Sequence, residues 1–256
     1  MKSLFKFILN VVPRPILIRL SYIFKFFAPF LMKGNNVECT VCEHQFKKFL
    51  PYGYNDGQRD NVLCPYDLTL ERHRLMWTYL KTKSNFFTDN LKVMHIAPEQ
   101  CFYKTFRAQK NLDYTTGDLE SPLADLHFDL HNIPLEDNIY DVVFCNHVME
   151  HVKDDVQCMK ELLRIMKPGG WGILQVPADY TRTTTYEDAT ITDPKEREKH
   201  FGQYDHVRLY GTNYPDVLRS AGFEVEEYDY HKELKEEDYK KYRFQEDELL
   251  YIVRKK

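Results

Sequence analysis

Polar side chains follow several apolar segments that have the composition of buried strands. Asp118 and Asp129 each come directly after such a segment. A carboxylate at the end of a parallel strand can accept hydrogen bonds from both hydroxyls of a ribose. Asn146 and His147 end a third apolar segment. These residues predict a nucleoside-binding cleft, although the Thr-Gly-Asp sequence at Asp118 is also typical of an ordinary turn.

A second cluster of ionisable residues lies in the segment 177–210. This segment is long for a connection between two elements, and long ordered loops usually have a function. We predict that it covers the cleft and supplies His206 as a general base, oriented by Asp205, with Arg208 binding an anionic or hydroxylated group. In the alternative, the segment is a hydrogen-bonded loop that only caps the cleft. Two other histidines are rival bases: His147 and His151.

Two pairs of metal-ligating residues stand nearer the amino terminus. Cys39-x2-Cys42 and Cys64-x2-Asp67 are separated by a loop, an arrangement in which two turns present four ligands to zinc. A zinc ribbon usually has a cysteine where Asp67 stands, and His44 is a substitute ligand. The alternatives to a zinc site are reduced structural thiols and a ribbon that has lost its metal.

The elements that must position these residues alternate between strands and helices from residue 91 onward. Such alternation predicts an α/β fold, a mostly parallel sheet with helices on both faces and ligands beyond the carboxyl ends of its strands. The predicted strands are 91–97, 113–116, 124–128, 140–146, 170–176, 223–230 and 249–254. The predicted helices include 153–166 and 213–221.

The segment 1–34 is apolar and basic and is interrupted by prolines. It contains no run of 18 uncharged apolar residues, so a membrane-spanning helix is not predicted. Arg14, Ser21 and Lys25 follow a helical spacing, which favours an amphipathic helix in the membrane interface; the alternative is a helix packed on the protein's own core. The broken apolar region does not resemble a cleaved signal peptide.

Length and composition limit the organisation of the chain. With 256 residues it can hold one α/β domain and a small appendage. We predict three parts: an amphipathic segment (1–36), a zinc-ribbon-like module (37–70) and a catalytic domain (71–256).

Charge and cysteine content bear on partners and compartment. Six of the 35 basic residues precede the first acid, Glu38, so the remainder carries 29 basic and 39 acidic residues. This acidic body disfavours nucleic acid as a partner. The six cysteines do not form a secreted disulfide framework, and they favour a cytoplasmic protein. The segment 1–34 adds the expectation of peripheral contact with the inner membrane face.

Two longer stretches carry a family resemblance. FDLHNIPLEDNIYDVVFCNHVMEH and ELLRIMKPGGWGILQVP resemble class I S-adenosylmethionine-dependent methyltransferases of the type 11 group, over about residues 91–230. The resemblance implies a Rossmann-like seven-stranded sheet and S-adenosylmethionine as cofactor. In that family the acid at Asp118 holds the ribose and the acid at Asp129 meets the adenine amino group. The other contacts it implies are Leu119, Leu130, Asn146 and His147.

The chain departs from the family at the turn after the first strand. His-Ile-Ala-Pro-Glu replaces the usual glycine-rich sequence, as in a bacterial subgroup with the same Asn-His-Val-x-Glu-His stretch. Glycine normally lets the backbone approach the cofactor, so this loop must be reshaped. We expect Glu99 to bind the amino group of the donor and the backbone at Ala97 and Pro98 to meet its methionine part, with His95 nearby. The helix between the second and third strands is missing or a single turn.

The resulting functional expectation is methyl transfer to an oxygen or nitrogen of a small or lipid-linked or glycan-linked acceptor. Two alternatives are a non-catalytic methyltransferase-like binding module and a zinc-ribbon RNA methyltransferase, which the acidic body disfavours. A nicotinamide oxidoreductase is disfavoured further because the chain lacks a Gly-x-Gly-x-x-Gly turn.

Overall fold

The computed structural model describes residues 26–53, 58–245 and 248–256. These residues form two compact units. The first contains residues 26–83 and 233–245, and the second contains residues 84–232 and 248–256. Most of the predicted amphipathic segment lies outside the described residues. In the described part, no helix is long and apolar enough to cross a membrane.

Strands and helices occur in both units. The strands are β1 (Lys33–Glu38), β2 (Gln45–Phe46), β3 (Leu50–Tyr52), β4 (Arg59–Leu63), β5 (Leu91–Ile96), β6 (Leu112–Asp118), β7 (Leu126–His127), β8 (Tyr140–Cys145), β9 (Met166–Ile173), β10 (Tyr186–Glu187), β11 (Arg208–Leu209), β12 (Glu224–Tyr228) and β13 (Leu250–Arg254). The helices are α1 (Glu71–Thr82), α2 (Gln100–Arg107), α3 (Asp155–Ile165), α4 (Pro194–Phe201), α5 (Tyr214–Ser220) and α6 (Glu236–Tyr242), with a 3-10 turn at Tyr230–Lys232.

The first unit consists of two antiparallel hairpins with α1 and α6. β1 pairs with β2, and β3 pairs with β4. Arg74 of α1 is fully buried and donates to the backbone oxygens of Val62, Thr69, Tyr242 and Arg243. Burial lowers the pKa of Arg74, and these four acceptors compensate for the loss of water. Residues 71–83 pack with this unit, although the sequence assigns them to the predicted catalytic domain. The predicted division into three parts stays a prediction.

The second unit is built on a seven-stranded sheet in the order β12-β13-β9-β8-β5-β6-β7. The five strands β9, β8, β5, β6 and β7 are parallel to one another. β13 runs antiparallel to both β9 and β12. The predicted Rossmann-like α/β fold is confirmed. From β5 the chain first adds β6 and β7 on one side and then returns to add β8 and β9 on the other side. This reversal of strand order creates a crevice at the carboxyl ends of β5 and β8.

Both faces of the sheet are covered, as β8 shows. Successive side chains of a strand point to opposite faces. Val143 and Cys145 belong to a core cluster with Met159 of α3. Between them, Phe144 meets Phe106 of α2 at a ring-centroid distance of 6.1 Å. β8 is therefore apolar on both faces over residues 142–145, which is why these four consecutive residues are apolar; Asp141 near its start is the exception.

The predicted elements agree with the observed ones except near their ends. The third strand is reduced to Leu126–His127, and β9 begins four residues before the predicted residue 170. Residues 119–125 between β6 and β7 contain no helix, as expected. The long segment 177–210 is ordered: it contains α4 and the short pair β10 and β11.

Candidate functional site

The turn after β5 takes a left-handed conformation without glycine. Ala97 has φ 48°, and its N–H donates to the backbone oxygen of Gly117, 2.8 Å away, which extends the pairing of β5 with β6. Left-handed backbone costs a side chain with a Cβ about 1 kcal/mol or more, and alanine is the smallest such residue. Pro98 is buried, and Glu99 is the N-cap residue of α2. The loop therefore keeps the backbone reversal that glycine usually supplies.

Glu99 is held in place by two side chains from the adjacent strand ends. Asn146, which follows β8, donates from Nδ2 to Oε1 of Glu99 at 3.0 Å. Nε2 of His95 lies against the other carboxylate oxygen, and Nδ1 of His95 is 2.7 Å from the hydroxyl of Tyr114. Because His95 is fully buried, its side chain positions Glu99 and is not exposed to the cleft. The carboxylate itself remains partly accessible at the carboxyl edge of the sheet.

Asp118 ends β6, the strand next to β5. Its Oδ1 accepts hydrogen bonds from the backbone N–H groups of Glu120 and Ser121, at 2.9 and 2.8 Å. These bonds fix the turn, and they leave Oδ2 available for a ligand hydroxyl. Leu119 is exposed beside it. The structure thus shows the ordinary turn at Thr-Gly-Asp, built on one carboxylate oxygen, and the ribose-binding role stays a prediction.

Asp129 follows β7 and is largely exposed. Its Oδ1 accepts from the backbone N–H and from Nδ1 of His131, at 2.9 and 2.6 Å. Both bonds lower the pKa of Asp129. The predicted neighbour Leu130 is buried in the core, so only its backbone remains for a ligand.

The end of β8 carries a second residue with left-handed backbone. His147 has φ 55°, and its N–H donates to the backbone oxygen of Gln175 at 2.7 Å. Oδ1 of Asn146 accepts from the N–H of Gln175 at 3.2 Å. These contacts tie the ends of the two adjacent strand segments together. Nε2 of His147 is buried without a protein partner, so the site leaves a donor or acceptor unsatisfied.

Glu150 is a functional candidate that the sequence interpretation did not include among the site residues. Its side chain is 1% exposed, and its Oε1 lies 3.4 Å from Nδ1 of His147. Its Oε2 is buried without a partner. The only sequence pattern that could have identified it is its place beside His151, one turn after the strand end.

The predicted pairing of Asp205 with His206 is replaced by a different one. Oδ2 of Asp205 lies 3.4 Å from Nδ1 of His151, whereas Nδ1 of His206 is 3.0 Å from the backbone oxygen of Phe201. The rings of His151 and His206 pack edge to face at 4.7 Å. Burial lowers the pKa of His206, which favours its neutral form. Since a carbonyl only accepts, Nδ1 carries the proton and Nε2 carries the lone pair.

Arg208 is fully buried and holds the long segment in place. Nε and Nη2 donate to the carboxylate of Glu187, and the remaining donors reach the backbone oxygens of Met149, Val152 and Lys153. All five N–H groups therefore have protein acceptors. This arrangement supports a positioning role for Arg208, since it has no donor left for an acceptor molecule.

In the first unit, the structure brings the four predicted zinc ligands together. One ligand atom from each of Cys39, Cys42, Cys64 and Asp67 lies within 4.8 Å of the others. Sγ of Cys39 is 3.2 Å from Oδ2 of Asp67, and Sγ of Cys42 is 3.7 Å from Sγ of Cys64. His44 turns away, with Nδ1 at 2.9 Å from the backbone oxygen of Cys42.

The two ligand turns have the same backbone pattern. In the first, the N–H of Glu43 donates to the oxygen of Cys39, and Glu43 has φ 60°. In the second, the N–H of Leu68 donates to the oxygen of Cys64, and Leu68 has φ 63°. Each first cysteine also donates its own N–H five residues ahead. Asp67 therefore occupies the position in the second turn that Cys42 occupies in the first.

The ionisation of this cluster is also suited to a cation. Burial opposes ionisation of Cys39, but hydrogen bonds from Cys42, Cys64 and Thr69 outweigh it and hold the pKa of Cys39 well below its usual value. Burial and the charge of Cys39 raise the pKa of Asp67 to about 6. The hydrogen bond with Cys39 raises the pKa of Cys42, burial raises the pKa of Cys64, and the charge of Cys39 adds to both shifts, because a further negative charge in this buried cluster would be repelled. A divalent cation would relieve that repulsion.

The chain is similar to known methyltransferases. Residues 84–174 match the family model described as methyltransferase domain. A Mycolicibacterium smegmatis protein named "Probable S-adenosylmethionine-dependent methyltransferase" is 30% identical over 107 residues, which cover 41% of this chain and 37% of that protein. An uncharacterized methyltransferase of Schizosaccharomyces pombe is 33% identical over 93 residues, which cover 36% of this chain and 30% of that protein.

Solved structures are also similar to this chain, at low sequence identity. The YcgJ protein of Bacillus subtilis is 10% identical and covers 72% of this chain and 99% of that chain, with a TM-score of 0.46. The matched segments span less than two fifths of the length of the two curated relatives. The predicted resemblance to methyltransferases is confirmed by the match over residues 84–174, while the bounds of the predicted domain and the finer assignment to a bacterial subgroup stay predictions.

Proposed function

We propose that the chain is an S-adenosylmethionine-dependent methyltransferase acting on an oxygen or nitrogen of a small or lipid-linked or glycan-linked acceptor. The observation that carries this proposal is a pair of carboxylates at the carboxyl ends of two adjacent strands. Glu99, held by Asn146, follows β5, and Asp118 ends β6. The donor carries an ammonium group and a ribose diol, which match these two acceptors.

Each predicted cofactor residue has a defined part in this proposal. Glu99 binds the ammonium group, and Oδ2 of Asp118 binds the ribose. The backbone at Ala97 and Pro98 lies beside the methionine part, and Asp129 meets the adenine amino group. His95 and Asn146 hold Glu99 in place. Leu119 covers the ribose side, and Leu130 contributes its backbone.

Methyl transfer requires the acceptor to be aligned with the methyl group and, where needed, deprotonated. S-adenosylmethionine supplies the activated methyl group. His147 at the end of β8 and His206 in the segment 177–210 are the proposed bases, with His151 and Asp205 in contact beside them. Arg208 joins this segment to the residues that follow β8, which supports the proposal that the segment covers the cleft.

A structural zinc ion is proposed for the first unit. The matching backbone of the two ligand turns supports it, because it gives Asp67 the same geometric position as a cysteine. Zinc bound by three thiolates and one carboxylate has four ligands of types that zinc accepts. The ion would connect the turn after β1 with the turn after β4, which already contact each other through Cys39 and Asp67.

Peripheral contact with the inner face of a membrane is proposed for the amino-terminal segment, in a cytoplasmic protein. Four large apolar side chains at its described end are exposed: Phe26, Phe27, Phe30 and Leu31. Exposed apolar groups beside basic residues favour an interface that contains anionic lipid. Sedimentation with anionic liposomes tests this contact by comparing the full chain with the chain lacking residues 1–34; unchanged partitioning would refute it.

Calorimetry with the donor and with its demethylated product tests the central proposal. We expect micromolar affinity for the full chain. Asp118→Asn keeps an acceptor for the turn but removes the charge, and it should weaken binding by about 1–3 kcal/mol. Asp113→Asn, at the exposed amino end of the same strand, is the matched control. Absence of binding by the folded wild-type protein would instead favour a non-catalytic binding module.

A further inference from the structure

The structure contains a second cluster of metal-ligating residues, in the second unit. Among the described residues, one ligand atom from each of Glu150, His151 and His206 lies within 4.8 Å of the others. Glu150 and His206 are buried, and His151 is partly exposed. We propose that these three residues bind a divalent transition-metal ion.

The orientation of the two histidines supports this assignment. A histidine that binds a metal usually donates its other ring N–H to a carboxylate or a carbonyl, which fixes the ring and its tautomer. Nδ1 of His206 is bound to the backbone oxygen of Phe201, and Nδ1 of His151 faces the carboxylate of Asp205. In both rings Nε2 is the nitrogen left for the ion.

The third ligand has an unsatisfied oxygen. Glu150 is 1% exposed, with Oε1 at 4.0 Å from Nε2 of His151 and Oε2 buried without a partner. Burying a carboxylate oxygen without a hydrogen bond or a cation is costly. Two ligands about 2.1 Å from one ion at a tetrahedral angle are about 3.4 Å apart. Small rotations of these side chains would therefore bring all three onto one ion.

Two histidines and one carboxylate leave at least one coordination position open, as in catalytic zinc sites and non-haem iron sites. Glu150 also lies 3.4 Å from His147, so the metal cluster borders the cleft at the end of β8. An oxygen of the acceptor is the ligand that fits the open position, because metal binding lowers the pKa of a bound hydroxyl. This last step rests on the proposed methyl transfer; the metal site itself does not. With Nε2 of His206 on the ion, His147 is the base that remains of the two proposed, because a coordinated nitrogen has no lone pair left for a proton.

Titration of the full chain with Co²⁺ separates this site from the cysteine cluster. Thiolate ligands give an intense charge-transfer absorption, whereas nitrogen and oxygen ligands give only weak visible bands. We expect the chain to bind two equivalents of Co²⁺, one of which binds without producing thiolate absorption. Three variants test the ligands: Glu150→Gln, His151→Gln and His206→Gln. Each should lower the affinity for the Co²⁺ ion that lacks thiolate absorption at least tenfold, and each should leave the thiolate absorption of the other ion unchanged. His127→Gln, an exposed histidine on β7, is the matched control.

The outcomes are distinct for the two proposals. His151 is partly exposed, so His151→Gln tests the site even if the change at buried Glu150 disturbs folding, which circular dichroism would reveal. A single equivalent with full thiolate absorption in the wild-type protein would overturn the proposed site. Equal Co²⁺ affinity in wild type and folded His151→Gln and His206→Gln variants would also overturn it. Donor binding by the same samples is measured separately, so its absence would contradict methyl transfer alone.

Discussion

Nδ2 of Asn146 donates to Oε1 of Glu99 across the ends of two adjacent parallel strands, β8 and β5, at 3.0 Å. The bond joins the residue after one strand to the N-cap residue of the helix after the other, at the point where the strand order reverses. Together with the contact from His95, it holds a carboxylate at the turn that lacks glycine.

Neutralising this carboxylate should weaken donor binding. Glu99→Gln keeps the size of the side chain but removes its charge, so the ammonium group of the donor loses a charged acceptor. We expect the dissociation constant to rise about 10-fold to 100-fold, the range for a hydrogen bond to a charged group. Calorimetry on the folded variant measures this change.

Glu136→Gln is a suitable control because Glu136 is exposed and lies before β8, at the other edge of the sheet. Equal donor affinity in Glu99→Gln and Glu136→Gln would show that Glu99 does not contact the donor. A thermal melt of both variants identifies any effect that arises from loss of folding.

The sheet could be predicted because its strands depend on local patterns. β8 is apolar at nearly every position, and β6 ends at an acid that begins a turn; both features are visible in the sequence. β7 is only two residues long, and its boundaries depend on pairing with β6, which a local pattern does not show. The same holds for the early start of β9.

The site was less predictable because its contacts join distant parts of the chain. Arg208 is of a residue type that often binds substrates, so the sequence favours that role. Its backbone acceptors at Met149 and Val152, however, lie more than 50 residues earlier in the chain. The burial of Glu150 likewise depends on the return of the segment that carries His206. The sequence shows that the turn at Ala97 lacks glycine. It does not show the left-handed backbone of Ala97, which accompanies the hydrogen bond to β6 and is not a conformation that alanine prefers.

Asp67 should be required for zinc binding by the first unit. Asp67→Ala removes one of four ligands, so we expect loss of the bound zinc or an affinity at least tenfold lower. Asp67→Cys restores the complete cysteine set and should retain zinc, because the turn already has the geometry of its counterpart at Cys42. Elemental analysis and the thiolate absorption of the Co²⁺ form measure occupancy. Equal zinc content in Asp67→Ala and wild type would contradict the role of Asp67.

Removing Arg208 should destabilise the second unit strongly. Arg208→Met leaves three backbone oxygens without their donor and Glu187 without its partner. A backbone oxygen buried without its donor costs about 1–3 kcal/mol, so the three oxygens together should cost several kcal/mol, while Glu187 is partly exposed and loses little. Arg182→Met is the control, since Arg182 forms a partly exposed ion pair with Asp179 that should contribute less than about 1 kcal/mol. Urea unfolding measures both, and similar losses in the two variants would contradict the positioning role.

The stability of the segment before β7 should depend on pH through Asp125. This carboxylate accepts from Nη2 of Arg107 and from the N–H and hydroxyl of Thr116. Burial opposes its ionisation, but these hydrogen bonds outweigh burial and lower the pKa of Asp125. In the unfolded chain the pKa is about 4, so Asp125 stabilises the fold above about pH 4. This contribution is lost as the pH falls through the lower folded-state pKa.

Urea unfolding of wild type and Asp125→Asn between about pH 7 and pH 3 tests the sign of this effect. We expect the free energy of unfolding of wild type to exceed that of the variant by a constant amount near neutral pH. The difference should shrink below about pH 4, because both proteins then carry an uncharged side chain at this position. Asp113→Asn, exposed on the same strand, should show no such convergence. A gap that widens at low pH would mean that burial, and not the contacts with Arg107 and Thr116, determines the ionisation of Asp125.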